Sequence, residues 1–212
     1  MERFKSKRTN TGRVKTLALV FIVLCPFGCS SVSAQPKWEA ALRERIVSVA
    51  ESQLKVREDT GQNDGKEICK YLRVTGLPEG HPWCAAFTSW VFSEAGGTAP
   101  MSARVVDWFD SNVVYKREWR KQTIVPEKAM VVGLYYPNLG RYGHIGIVVH
   151  VPPGLIKNIT TIEGNTNAAG SREGQGVYRK IRSWKNIAVM SDYCLTGNQF
   201  VKKYHEKIKE GM

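Results

Sequence analysis

The chain has 212 residues, 42% of them apolar and 10% aromatic, which is enough for one ordinary domain with a sizeable core and hardly for two. That composition excludes a disordered chain and a membrane bundle. The formal net charge of +12 is partly an N-terminal feature: residues 1–34 carry six basic residues and one acid, and the other 25 basic and 18 acidic residues leave +7. A basic surface suits an anionic partner. The basic residues are scattered without aromatic interleaving, however, and nucleic acid is not expected.

Met1 to Lys15 is basic, and the apolar run Thr16 to Leu24 follows. The run is shorter than the roughly 20 residues a membrane-spanning helix needs. With Val32-Ser33-Ala34 behind it, the pattern predicts a signal peptide over 1–34, cleaved after Ala34, and an exported domain in the periplasm or outside the cell. Gly28-Cys29 offers a second ending, a lipoprotein signal that would lipidate Cys29 and tether the same domain to a membrane. Pro26 and Phe27 fit such a signal poorly.

Cleavage after Ala34 leaves Cys69, Cys84 and Cys194. Exported chains usually pair their cysteines, and three cannot all pair within one chain, so one is an intermolecular linker or a reactive thiol. If Cys84 stays free, Cys69 and Cys194 are the pair available for a bridge. No Cys/His cluster has zinc spacing.

The elements change character near residue 125. Trp38, Ala41, Leu42, Ile46, Val49, Ala50 and Leu54 form one helical stripe. A turn-rich loop, Asp59 to Gly65, precedes a short helix marked by Ile68, Tyr71 and Leu72. The loop Gly76 to Pro82 then leads into a helix from about Trp83 to Ala95, stopped by Gly96-Gly97. Ala103 to Phe109 reads as one more short helix. Beyond residue 125 the period becomes two, with strands expected at 129–136, 143–151, 156–164, 176–181 and 187–194. The result is an α+β domain over 35–195, with N-terminal helices packed on one side of an antiparallel sheet of about five strands. Residues 196–212 read as a polar tail or peripheral helix.

Cys84 opens the third helix, where unpaired N–H groups and partial positive charge stabilise a thiolate and can receive an oxyanion. Position alone leaves a buried structural cysteine equally open. His144 adds a base. It shares a strand face with Gly146, Val148 and His150, opposite Ile145, Ile147 and Val149, and Gly146 is expected to keep that face open. His150 lies too far along the strand to serve the same site, His81 is a weaker competitor in a loop, and His205 is in the tail. Glu163 and Asn165, two apart on the next strand, are expected on one face, where Glu163 can hold the imidazole. Asn165 can orient the ring without charge or donate to an oxyanion.

Pro82-Trp83-Cys84-Ala85-Ala86-Phe87, Gly143-His144-Ile145-Gly146 and Ile162-Glu163-Gly164-Asn165 together resemble a CHAP domain (cysteine, histidine-dependent amidohydrolase/peptidase), of the papain-like group that includes the NlpC-type peptidases. The resemblance runs from about Gln53 to Tyr193. It implies Cys84 as nucleophile, His144 as base and then acid, Glu163 as the orienting group and Asn165 as a further site residue. It implies hydrolysis of peptidoglycan amides, by an N-acetylmuramoyl-L-alanine amidase or a peptide-stem endopeptidase, with no metal and no organic cofactor. The alternative is an inactive CHAP-like module that binds wall peptides. Calcium sites of some relatives lie in an acidic loop before the cysteine, but Gly76 to Trp83 has only Glu79. Asp59, Asn63, Asp64 and Glu67 are read as a polar turn leading into a helix rather than a cation site.

Overall fold

The computed structural model describes residues 36–119, 124–169, 173–195, 199, 203 and 204. The expected signal peptide, its cleavage site, Cys29 and most of 196–212, His205 included, lie outside the described residues. The chain divides into two units, Met1–Ala34 and Gln35–Met212, and all that follows concerns the second.

Three helices come first: α1 (Lys37–Ser52), α2 (Lys66–Arg73) and α3 (Cys84–Glu94). A 3₁₀ turn, Val105–Phe109, stands where the fourth short helix was expected. The strands are β1 (Val113–Lys116), β2 (Val131–Tyr136), β3 (Arg141–His150), β4 (Asn158–Thr166), β5 (Gly176–Ser183) and β6 (Val189–Ser191). They form one antiparallel sheet in the order β1-β6-β2-β3-β4-β5. The architecture is the expected α+β one, of papain-like type, with two differences. The four-residue β1 was not foreseen. The last strand does not extend a meander beyond β5 but crosses to lie between β1 and β2.

The core has two layers because β3 is buried on both faces. Ile145, Ile147 and Val149 join the helices: Ile46, Ile68, Phe87 and Val91 meet them there. Val148 faces the other way, into a smaller cluster with Met130, Val132, Ile159, Met190 and Tyr204. The second face of the sheet is therefore covered rather than open. Tyr204, in the segment read as peripheral, is 2% exposed and takes part in that cover.

The buried stripe of α1 is also turned from its expected position. Trp38 and Ala41 are exposed, and Glu39 and Arg43 are buried beside Leu42, Ile46 and Ala50. Ion pairing makes this stable: Arg43 Nη2 lies 2.8 Å from Glu39 Oε1 and 2.6 Å from Asp192 Oδ2. Lys203 Nζ reaches Glu39 at 2.7 Å, and the Tyr204 hydroxyl donates to Asp192 at 2.6 Å. Cys69 and Cys194 do not form the expected bridge. Both are free, Cys69 donating to Glu79 from α2 and Cys194 buried just beyond β6.

Candidate active site

Cys84 is the first residue of α3, so its backbone N–H has no acceptor within the helix. Pro82 keeps the chain non-helical up to that point. The helix start is held hard against β4. Trp83 is fully buried, its indole N–H donates to Glu58 at 2.7 Å, and its backbone N–H donates to Asn165 Oδ1 at 3.1 Å. Gly164 permits this contact, because a Cβ there would lie 2.6 Å from Trp83 Cζ3.

His144 sits in β3 opposite Leu134, next to a bulge in the β2–β3 pairing. The bulge places Gly143 on the cleft wall and the imidazole inside, at 0% exposure. Nε2 lies 2.9 Å from Glu163 Oε2. Nδ1 is buried with no hydrogen-bond partner at rest, and with Nε2 committed it is the nitrogen left for the Cys84 thiol. Resting catalytic contacts are often long or misaligned before substrate arrives.

Glu163 is 1% exposed, yet both its oxygens are filled. Oε1 accepts from Thr161 Oγ1 at 2.6 Å and from Arg182 Nε at 2.7 Å; Oε2 is shared between His144 and Arg182 Nη2. Burial alone would raise this carboxyl's pKa, but the bonds from Arg182 and His144 win and hold it down at about 2. Burial would likewise push the His144 imidazole down. Its interactions with Cys84 and Glu163 prevail, and it is raised to about 9. A thiol, an imidazole that holds its proton readily and an ionised carboxylate thus lie in series.

Two expectations change. Gly146 does not open a path to His144; its missing side chain makes room for Glu163, since a Cβ there would lie 2.7 Å from Glu163 Cγ. Asn165 does not share the surroundings of Glu163. The β4–β5 pairing shifts register between Glu163 and Thr166, and Asn165 has φ +54°, so strand alternation fails. Its Nδ2 donates to Asn63 Oδ1 and to the Gly174 carbonyl. With Oδ1 on Trp83, the amide bonds the start of α3 and the loop around it, and Asn165 still lines the cleft beside Cys84. Trp83 N–H being taken, the Cys84 N–H is a backbone donor at that start with no acceptor in the helix.

Asp64 accepts from Thr60 N and Oγ1, Asn63 meets Asn165, and Glu67 pairs with Lys70. His150 is exposed at the end of β3, whereas His81 stands at the mouth of the site. Sequence reasoning missed Arg182 and Thr161. The one signal for Arg182 is a broken alternation in β5, where the neighbouring Ile181 is 76% exposed.

Cys84 opens into a cleft of about 330 Å³. Leu77, Pro82, Val105 and Val106 give it apolar walls, and Arg104, Arg141 and His81 supply charge and polarity.

A cysteine at a helix start facing a histidine on an antiparallel sheet is the layout of a papain-like site. Residues 76–165 match the model of the CHAP domain family, a shorter span than the expected 53–193. The family is one of peptidoglycan-related amidases and peptidases. A solved structure described as the crystal structure of Ly7917 is similar at 17% identity and a TM-score of 0.40, over 72% of this chain and 62% of that one. The chain therefore spans less than two thirds of that protein's length. No curated protein matches the chain.

Proposed function

We propose that this protein is an exported cysteine hydrolase that cleaves amide bonds of peptidoglycan, as an N-acetylmuramoyl-L-alanine amidase or a stem-peptide endopeptidase. The observation that carries the reading is His144, buried between Cys84 and an ionised Glu163 that is itself satisfied on both oxygens. A structural histidine has no need of a raised basicity beside a thiol at the floor of a cleft. Export rests on the basic and apolar character of residues 1–34. Among the described residues no helix is long and apolar enough to cross a membrane.

In this mechanism the Cys84 thiol gives its proton to His144 Nδ1, and the thiolate sulfur bonds to the amide carbon. The carbonyl electrons move onto oxygen, which the Cys84 N–H receives. Collapse breaks the C–N bond, and the imidazolium protonates the departing amine. Water, losing a proton to His144, then attacks the thioester. The C–S bond breaks, the acid is released, and the sulfur recovers its proton from His144. Glu163 keeps the ring oriented and balances its charge throughout, and remains ionised.

Digestion of purified peptidoglycan by wild type and Cys84→Ala, with products identified by mass spectrometry, tests this. New amino termini on alanine indicate the amidase, and cuts within the stem indicate the endopeptidase. Identical profiles for the two proteins overturn the hydrolase and leave the wall-binding module.

A further inference from the structure

The charge of the cleft has no counterpart in the mechanism above. Arg104 precedes the 3₁₀ turn and Arg141 opens β3, and the two arginines line the cleft that holds Cys84. Neither is used to hold the fold. Arg141 is exposed, and its Nη1 makes a long 3.4 Å contact to the neighbouring Tyr142 carbonyl. The Arg104 side chain is 76% exposed and meets Asp107 at 3.4 Å, while Asp107 accepts a much closer bond, 2.6 Å, from Ser102. No acidic residue lines the cleft among the described residues. Most of the other lining residues are apolar, and apolar walls concentrate the field of a single sign of charge.

Arginine recognises carboxylates through paired, planar N–H donors. We infer that Arg104 and Arg141 form a carboxylate-binding subsite flanking Cys84, selecting substrates that bear a free carboxylate close to the scissile amide over their amidated forms. This rests on the peptidoglycan reading. A wall stem offers two such groups, the α-carboxylate of its γ-linked glutamate and the free carboxylate of its diamino acid, and either is neutralised when converted to a carboxamide. Hydrogen bonds to charged groups are among the stronger ones, so loss of the carboxylate lowers affinity on the order of tenfold or more.

The test is binding, which does not depend on turnover. Full-length Cys84→Ala protein is titrated calorimetrically with the tripeptide L-Ala-γ-D-Glu-diaminopimelate and with two of its mono-amides, one at the glutamate α-carboxyl and one at the diaminopimelate carboxyl remote from the peptide bond. One mono-amide is expected to bind at least tenfold more weakly than the free acid, and which one names the carboxylate. Arg141→Gln and Arg104→Gln, each added to Cys84→Ala, are expected to reduce that preference toward unity while leaving affinity for the disfavoured amide unchanged. Both are surface replacements, and an unaltered melting temperature verifies the fold. Equal affinity for the acid and both amides, or a preference that survives both replacements, overturns the subsite. A preference that holds in a protein whose wild type hydrolyses nothing supports the subsite and removes only the hydrolase.

Discussion

Arg182 holds both oxygens of Glu163, Nε at 2.7 Å from Oε1 and Nη2 on Oε2. The pair is shielded from solvent: Arg182's side chain is 13% exposed and Glu163's 1%. It fixes the carboxylate that in turn fixes His144, so Arg182 acts on the reaction through two other residues. Arg182→Met would leave a buried carboxylate with half its partners, a loss that costs about 3 kcal/mol in comparable pairs. Hydrolysis should fall at least tenfold in kcat, with KM little changed because Arg182 is not on the cleft wall. Arg182→Lys restores the charge without the two-point hold, and its kcat should lie between the two. Steady-state kinetics beside a thermal melt separates this positioning role from simple unfolding.

The shifts in the pair fix a pH window. Glu163 is held near 2 against an ordinary 4.5. Its stabilising contribution is therefore complete above 4.5 and is lost as pH falls toward 2. His144 is raised from 6.5 to about 9, so its contribution is complete below 6.5 and is lost as pH rises through 9. Between those limits both charges are present. In the proposed mechanism the protonated imidazole is the acid that releases the amine, so the alkaline limb of kcat/KM should fall near pH 9. Glu163→Gln removes one cause of the raised imidazole, and the limb should move toward 6.5. A limb that stays in place in the variant would show that Glu163 does not support the ring's charge.

Gly146 offers a steric test of the same assembly. A methyl group at this position would stand 2.7 Å from Glu163 Cγ, and Glu163 cannot swing aside without breaking its bonds to Arg182, Thr161 and His144. Gly146→Ala should cost about 1–3 kcal/mol, as overpacking of a filled interior does. It should also reduce kcat at least tenfold. A denaturant titration and an assay on the same preparation check both figures.

The sequence made the Cys84, His144 and Glu163 set readable because each stands at a point where pattern and chemistry coincide. Cys84 opens a helix two residues after a proline, and His144 and Glu163 lie on apolar strands that pair as neighbours. Asn165 was harder. Alternation predicts its face only while the strand stays regular, and one residue in the left-handed region ends that. Arg182 fell outside the expected strand, which stopped at Ile181. An exposed isoleucine beside an arginine with a largely buried side chain inverts the usual rule, and a long-range ion pair leaves no local mark. The crossing of β6 to the side of β2 is equally silent, since hydrophobic period identifies a strand but not its neighbour.

The same reasoning explains the turned stripe of α1 and leads to a contrast with the site. Arg43 is buried, and three acceptors hold it: Glu39, Asp192 and the Lys128 carbonyl at 2.8 Å. Asp192 is fully buried and also receives the Tyr204 hydroxyl and the Cys194 N–H. Asp192→Ala strands the guanidinium with fewer partners, and breaking a buried pair in this way costs about 3–5 kcal/mol. For a domain of this size that is a fall of about 10 °C in melting temperature. None of these groups lines the cleft or touches His144 or Glu163. Below the new melting temperature, kcat/KM should therefore stay within about twofold of wild type, whereas Arg182→Met loses turnover. Equal losses of activity in the two variants, after correction for the folded fraction, would mean that both pairs act through stability alone.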